Sequence, residues 1–95
     1  MKTEEKILTL HPQGKKGVNI SLKKYLVIKE FILNLLQNEQ EITFEKMIAL
    51  AENELSATFD GKVGWYVVSV KLDLEARKII ERIPKTSPHK LKLCQ

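Results

Sequence analysis

The residues of this chain best suited to chemistry are lysines, which gather in two loop-like segments. Lys15 and Lys16 lie between two glycines, and Lys85 and Lys90 flank a proline-containing stretch near the C-terminus. Ammonium groups on loops contact phosphates without reading a base sequence. The net charge of +4 favours anionic partners, although ordinary solvated lysines give the same pattern. The sequence therefore leaves two interpretations open, a phosphate-binding edge and a plain charged surface.

The remaining polar residues do not indicate catalysis or metal binding. His11 and His89 have no partners at metal-ligand spacing, and the single cysteine, Cys94, excludes an internal disulfide and a thiolate cluster. Asp73 and Glu75 point to different sides of a helix, so they cannot form a shared acid–base pair. No serine has the context of a nucleophile elbow. We therefore expect a protein that is not an enzyme and uses no cofactor or metal.

The composition is that of one folded domain. The 95 residues, 43% of them hydrophobic and 29% charged, are enough for a single modest core. The longest apolar stretch is interrupted by charges and is shorter than the roughly 20 residues of a membrane span. No apolar segment follows the charged N-terminus, so a secretory signal is not predicted. We expect a cytoplasmic protein without membrane contact.

Capping residues and apolar periodicity predict three helices, at about residues 22–37, 44–55 and 62–78. Ser21 and Thr43 are the expected N-caps of the first two helices, and Asp60 or Gly61 that of the third. The first helix is apolar over more than half of its circumference, which predicts a central position in the fold.

Short extended segments are expected around these helices. Residues 7–10 form an apolar run before a His-Pro pair, which predicts a strand or an extended arm, and a polar loop follows at residues 13–18. The chain thereby divides into an N-terminal arm and basic loop, residues 1–20, and a main part, residues 21–95.

A C-terminal hairpin completes the predicted elements. Residues 41–43 are strand-like, and residues 79–83 are expected to pair antiparallel with residues 90–94 across a loop at residues 84–89. The order helix, short strand, helix, turn, helix, hairpin resembles the winged helix-turn-helix superfamily. The resemblance covers roughly residues 21–93 and implies an α+β, mostly α fold whose hairpin is the wing.

Two further resemblances refine this expectation. Residues 74–82 are similar to the end of the recognition helix of many bacterial regulators, which usually carry glycine where this chain has Lys78. We expect this departure to cost little, since a lysine suits the helix dipole there. Residues 11–12, 14–20, 64–66 and 70–77 together resemble a family of small uncharacterised bacterial proteins, which implies no activity.

The third helix is apolar on two opposite sides. One side, formed by Val63, Val67, Val70 and Leu74, is expected to pack on the first helix. The opposite side carries Trp65, Val68 and Leu72. Because an exposed apolar patch generally marks an interface, we expect Trp65 to be mostly buried, against the N-terminal arm or across the twofold axis of a homodimer.

Two functions remain open. The first is a DNA-binding or transcription-associated protein that contacts double-stranded DNA mostly through phosphates. Its expected contact residues are Lys15, Lys16, Lys62, Ser69, Lys85 and Lys90. The second is a protein-interaction module, most simply a homodimer, that binds no DNA and uses Trp65, Val68 and Leu72. The scarcity of Arg, Asn and Gln on the third helix argues against base reading.

Overall fold

The computed structural model describes residues 5–85 and 89–94 and has an α+β fold, about half helical, with three helices and two small sheets. The helices are α1 (Leu22–Glu39), α2 (Phe44–Leu55) and α3 (Val63–Ala76). The strands are β1 (Lys6–Leu8), β2 (Asn19–Ser21), β3 (Glu41–Thr43), β4 (Ile80–Ile83) and β5 (Lys90–Leu93). Among the described residues, no helix is long and apolar enough to cross a membrane.

The first two helices begin where the sequence predicts. The Ser21 side chain accepts a hydrogen bond from the Lys24 amide at 3.3 Å, and the Thr43 side chain accepts one from the Lys46 amide at 3.2 Å. Each bond satisfies an amide that the first helical turn leaves without a partner. Both predicted N-caps are confirmed.

The start of α3 differs from the prediction. Its N-cap is Lys62, whose side chain makes no capping hydrogen bond, so the expectation of Asp60 or Gly61 is wrong. Gly61 instead lies in the preceding turn, where the backbone has a φ of 130° that residues other than glycine rarely adopt. A Cβ atom there would also lie 3.0 Å from the Tyr66 ring.

The core is built mainly by α1 and the inner side of α3, with smaller contributions from α2 and the strands. Buried residues of α1 recur at helical spacing, namely Tyr25, Ile28, Ile32 and Leu36. The inner side of α3 is also buried and packs on α1, as predicted, through Val63, Val67, Val70 and Leu74. These interdigitating side chains give α1 the central position that its apolar circumference predicts.

The second sheet contains the predicted hairpin. β5 lies in the middle and pairs antiparallel with both β4 and β3. Leu91 is completely buried and lies opposite Arg82 on one neighbouring strand and Ile42 on the other. Pairing of residues 79–83 with 90–94 is thus confirmed, since the Cys94 amide also donates to the Ile79 carbonyl at 3.0 Å. Residues 86–88 of the predicted loop lie outside the described residues.

The first sheet anchors the N-terminal arm. β1 pairs antiparallel with β2, so that Ile7 lies opposite Ile20. Beyond the strands, the Thr9 amide donates to the Val18 carbonyl at 2.8 Å. The arm is therefore part of a small sheet that contacts α1.

α3 ends two residues earlier than predicted, and the reason is Lys78. Lys78 has a φ of 62°, and the next amide, of Ile79, donates to the Leu74 carbonyl at 2.9 Å. This left-handed conformation closes the helix and is the one that glycine adopts without strain. The expected benefit from the helix dipole did not include this conformation, in which a side chain costs about 1–2 kcal/mol, so we now expect a larger cost for lysine.

Candidate interaction surface

The outward side of α3 presents an apolar stripe, which we define as Trp65, Val68 and Leu72. At about 100° per residue these three side chains project from one side of the helix. Trp65 is 46% exposed and Val68 is 37% exposed, whereas Leu72 is half-buried. The expectation that the N-terminal arm buries Trp65 is therefore wrong.

The arm covers only the C-terminal end of the stripe. Leu72 and Ser69 line a small cavity of about 70 Å³ together with residues 9–11 and 16–18. The chain then turns back, since the Gly14 amide donates to the His11 carbonyl at 2.9 Å. The arm consequently ends beside Leu72 and leaves the part of the stripe around Trp65 open.

A buried carboxylate fixes the arm to the helices. Asp73 of α3 is completely buried. One of its oxygens accepts a hydrogen bond from the Leu10 amide at 2.8 Å, and the other accepts from the Tyr25 hydroxyl and from Arg77 Nε, the latter at 2.9 Å. Charged groups are rarely buried unless they are paired and hydrogen-bonded in this way. Asp73 thus joins the arm, α1 and α3.

The tyrosine of this cluster is held in its protonated form. Burial, followed by the hydrogen bond to Asp73, raises the pKa of Tyr25 to about 12. The hydroxyl is therefore protonated at neutral pH and donates its proton to the hydrogen bond with Asp73. The sequence indicated only that Asp73 and Glu75 lie on different sides of a helix, and it did not predict the burial of Asp73. The four-residue spacing between Asp73 and Arg77 is a local signal for an ion pair, but not for burial.

The lysine within α3 faces inward as well. Lys71 is 7% exposed, and its ammonium lies 2.7 Å from a Glu75 carboxylate oxygen and 4.8 Å from the centre of the Phe44 ring. The His89 ring stacks on the same Phe44 ring, with ring centres 5.4 Å apart. Burial, and next the positive charge of Lys71, lowers the pKa of His89. Lys71 is consequently not presented to an external ligand.

The six residues predicted to contact DNA lie in three places. Lys15, Lys16, Lys62 and Lys85 are exposed, whereas Ser69 and Lys90 are partly buried. Lys16 and Ser69 are brought together, because both line the small cavity beside Leu72. Lys85 and Lys90 belong to the β4–β5 hairpin, where the Lys90 ammonium lies 3.4 Å from Glu41.

Among residues 5–85 and 89–94, no group of three or more histidine, cysteine, aspartate or glutamate side chains could hold a metal ion. Burial, and next a hydrogen bond to Glu81, raises the pKa of the Cys94 thiol, which disfavours the reactive thiolate.

Fold and surface together define a small α+β protein that presents an apolar stripe on α3. The chain belongs to the family of unknown function DUF6958, which matches residues 6–91. The match covers the arm, all three helices and most of the hairpin. No curated protein and no solved structure matches the chain.

Proposed function

We propose that the protein is a winged-helix interaction module that pairs with a second copy of itself through the stripe on α3. The observation that carries this proposal is the exposure of Trp65 and Val68 on one helix face. Tryptophan is enriched at the energetic centres of protein interfaces, and contiguous apolar surface generally marks an interaction site. The only basic residue of α3, Lys71, is buried against Glu75, which argues against a base-reading helix.

The order of the strands supports the winged-helix assignment. β3 lies between α1 and α2 in the chain and pairs with the second strand of the C-terminal hairpin. This is the arrangement expected if α2 and α3 form the helix-turn-helix and β4 and β5 form the wing. In such a fold the outward side of α3 is the surface available to a partner.

Twofold pairing would cover the open end of the stripe. In an antiparallel pair of α3 helices with the axis between Tyr66 and Val67, each Trp65 lies opposite Val68 of the partner subunit. The two positions are equally far from the axis, so one contact is made twice, as an isologous interface requires. A helix of 14 residues is about 21 Å long, which leaves room for both contacts.

Light scattering and tryptophan fluorescence test this proposal. We expect a mass twice the 11.0 kDa of one chain and a Trp65 emission that shifts to the red on dilution. Val68→Asp should give a monomer, because it places an unpaired charge in the interface. Val27→Asp is the matched control, since Val27 is a helical valine of similar exposure, 40%, on α1. A monomer with freely quenched Trp65 at high concentration would contradict the proposal.

Duplex DNA is the second candidate partner, and one observation favours it. Lys16 lies beside Ser69 and Leu72, so a basic loop borders the outward side of α3. Lys15, next to Lys16, and Lys62, next to the first residue of α3, are both exposed. Lys85 and Lys90 would add phosphate contacts from the wing. Binding of this kind would be mostly non-specific.

Salt separates the two candidates. DNA affinity falls with salt, and each phosphate contact removed lowers the slope of log K against log salt by about one. Pairing of two copies that each carry a net charge of +4 is instead strengthened by salt, because like charges are screened. Fluorescence polarisation with mixed duplex DNA at two salt concentrations measures the first effect. A variant with Lys15, Lys16, Lys85 and Lys90 changed to Gln that binds DNA equally tightly, with the same slope, would exclude this surface.

A further inference from the structure

A second surface feature lies away from the stripe, between the start of α1 and the turn that joins α2 to α3. It is a cavity of about 490 Å³. The lining residues are Lys23, Lys24, Val27, Thr58, Phe59 and Asp60. Small-molecule sites commonly have volumes of about 300–1,000 Å³ and combine apolar walls with a few polar groups. This cavity has both properties.

The charged wall of the cavity is held by a weak ion pair. The Lys24 ammonium lies 3.9 Å from an Asp60 oxygen, which is beyond hydrogen-bond distance, and the Asp60 side chain is fully exposed. The same ammonium lies 6.0 Å from the centre of the Phe59 ring and 5.4 Å from that of Tyr66. An exposed pair of this kind contributes little energy, so a carboxylate that approaches more closely can replace Asp60.

The apolar wall is fixed before any ligand arrives. The Phe59 ring packs edge-on against Tyr66 with centres 5.0 Å apart, and the Phe59 amide donates to the Leu55 carbonyl at 2.7 Å. Val27 forms part of the opposite wall on α1. A preformed ring surface binds an aromatic ligand without the entropy loss of ordering a loop.

We propose that this cavity binds a small aromatic carboxylate. The ligand ring packs between Phe59 and Val27, and its carboxylate contacts the ammonium groups of Lys23 and Lys24, with the Thr58 hydroxyl available as a further donor. Charge-assisted hydrogen bonds orient the carboxylate, and ring contact supplies the buried apolar area. This inference does not depend on pairing through the stripe.

Amide NMR titration with 2-naphthoate tests the proposal. We expect saturable shifts confined to the start of α1 and to the turn before α3. The neutral analogue 2-naphthamide should bind at least about tenfold more weakly, since it cannot form the charge-assisted contacts. Inorganic phosphate should also bind more weakly, because it has no ring to place on Phe59.

Two lysine variants provide the matched comparison. Lys24→Met keeps most of the side-chain length, removes the charge and should weaken naphthoate binding at least about tenfold. Lys29→Met is the control, since Lys29 lies farther along α1, places its ammonium 6.0 Å from the Tyr25 ring, and does not line this cavity. Non-saturating shifts, equal binding of naphthamide or phosphate, or equal weakening by both variants would each overturn the proposal.

Discussion

Replacement of Asp73 by asparagine should destabilise the fold far more than its small change in shape indicates. The two carboxylate oxygens together accept hydrogen bonds from the Leu10 amide, the Tyr25 hydroxyl and Arg77 Nε. Asparagine supplies one oxygen and one amino group in their place. In one orientation the amino group faces the buried Leu10 N–H, and in the other it faces Arg77 Nε, while the Tyr25 hydroxyl must turn from donor to acceptor. Either orientation therefore removes at least one hydrogen bond of the cluster and all of its charge-assisted bonds.

The magnitude follows from these contacts. A buried donor without a partner costs about 1–3 kcal/mol, and hydrogen bonds that lose a charged partner weaken by about 1 kcal/mol. Arg77 recovers part of its loss from water, because its side chain is 36% exposed. We therefore expect Asp73→Asn to lower the free energy of unfolding by about 3 kcal/mol, which is a large fraction of the roughly 5–15 kcal/mol of a small domain. The midpoint of thermal unfolding should fall by more than about 10 °C.

Urea unfolding followed by circular dichroism measures this effect. Asp60→Asn is the matched control, because the side chain of Asp60 is fully exposed and its replacement should change stability by less than about 0.5 kcal/mol. Equal stability of the two variants, or a loss below about 1 kcal/mol for Asp73→Asn, would refute the role assigned to Asp73.

Three further predictions concern stability. The folded-state pKa of Tyr25, about 12, lies above its ordinary value of 10.0. The contribution of Tyr25 to the free energy of unfolding is therefore present below pH 10 and is lost as the pH rises to 12. Unfolding measured at pH 9 and at pH 12 should show this loss, and a Tyr25→Phe variant should lack it. Gly17→Ala should lower the free energy of unfolding, measured in urea, by at least about 2 kcal/mol, because its Cβ would lie 1.7 Å from the Thr9 carbonyl oxygen. Gly64→Ala is the control and should be neutral or stabilising, since its Cβ meets nothing closer than 3.4 Å. Lys78→Gly should raise the melting temperature, since relief of about 1–2 kcal/mol of strain exceeds the added entropy of the unfolded chain of about 0.4–1 kcal/mol.

Local features of this fold were predictable from the sequence. Ser21 and Thr43 mark helix starts because their side chains bond to amides only three residues ahead. The inner side of α3 was predictable because apolar spacing reports which side meets the core. The start of α3 was not, since Gly61 is required by the turn and leaves Lys62 as an N-cap without a side-chain bond.

Features of the surface depend on contacts between distant residues, and the sequence predicted them less well. Whether the arm covers Trp65 depends on how the chain turns at His11. The spacing of apolar residues along α3 carries no information about that turn. The burial of Lys71 requires Phe44 of another helix. For the same reason the candidate ligand cavity was not predicted, because the lysines of α1 and Phe59 meet only in the folded chain.

The contacts of Asp73 also bear on the order in which a growing chain acquires its structure. Asp73 lies 63 residues after Leu10 and 48 residues after Tyr25, yet it accepts hydrogen bonds from both. On the ribosome the arm emerges before α3, and its Leu10 amide can bond to Asp73 only after α3 has been synthesised. We expect the Leu10 amide to exchange freely with solvent in a nascent chain that stops before α3 and to become protected once Asp73 has emerged. A segment translated well before α3 is therefore fixed in place only after α3.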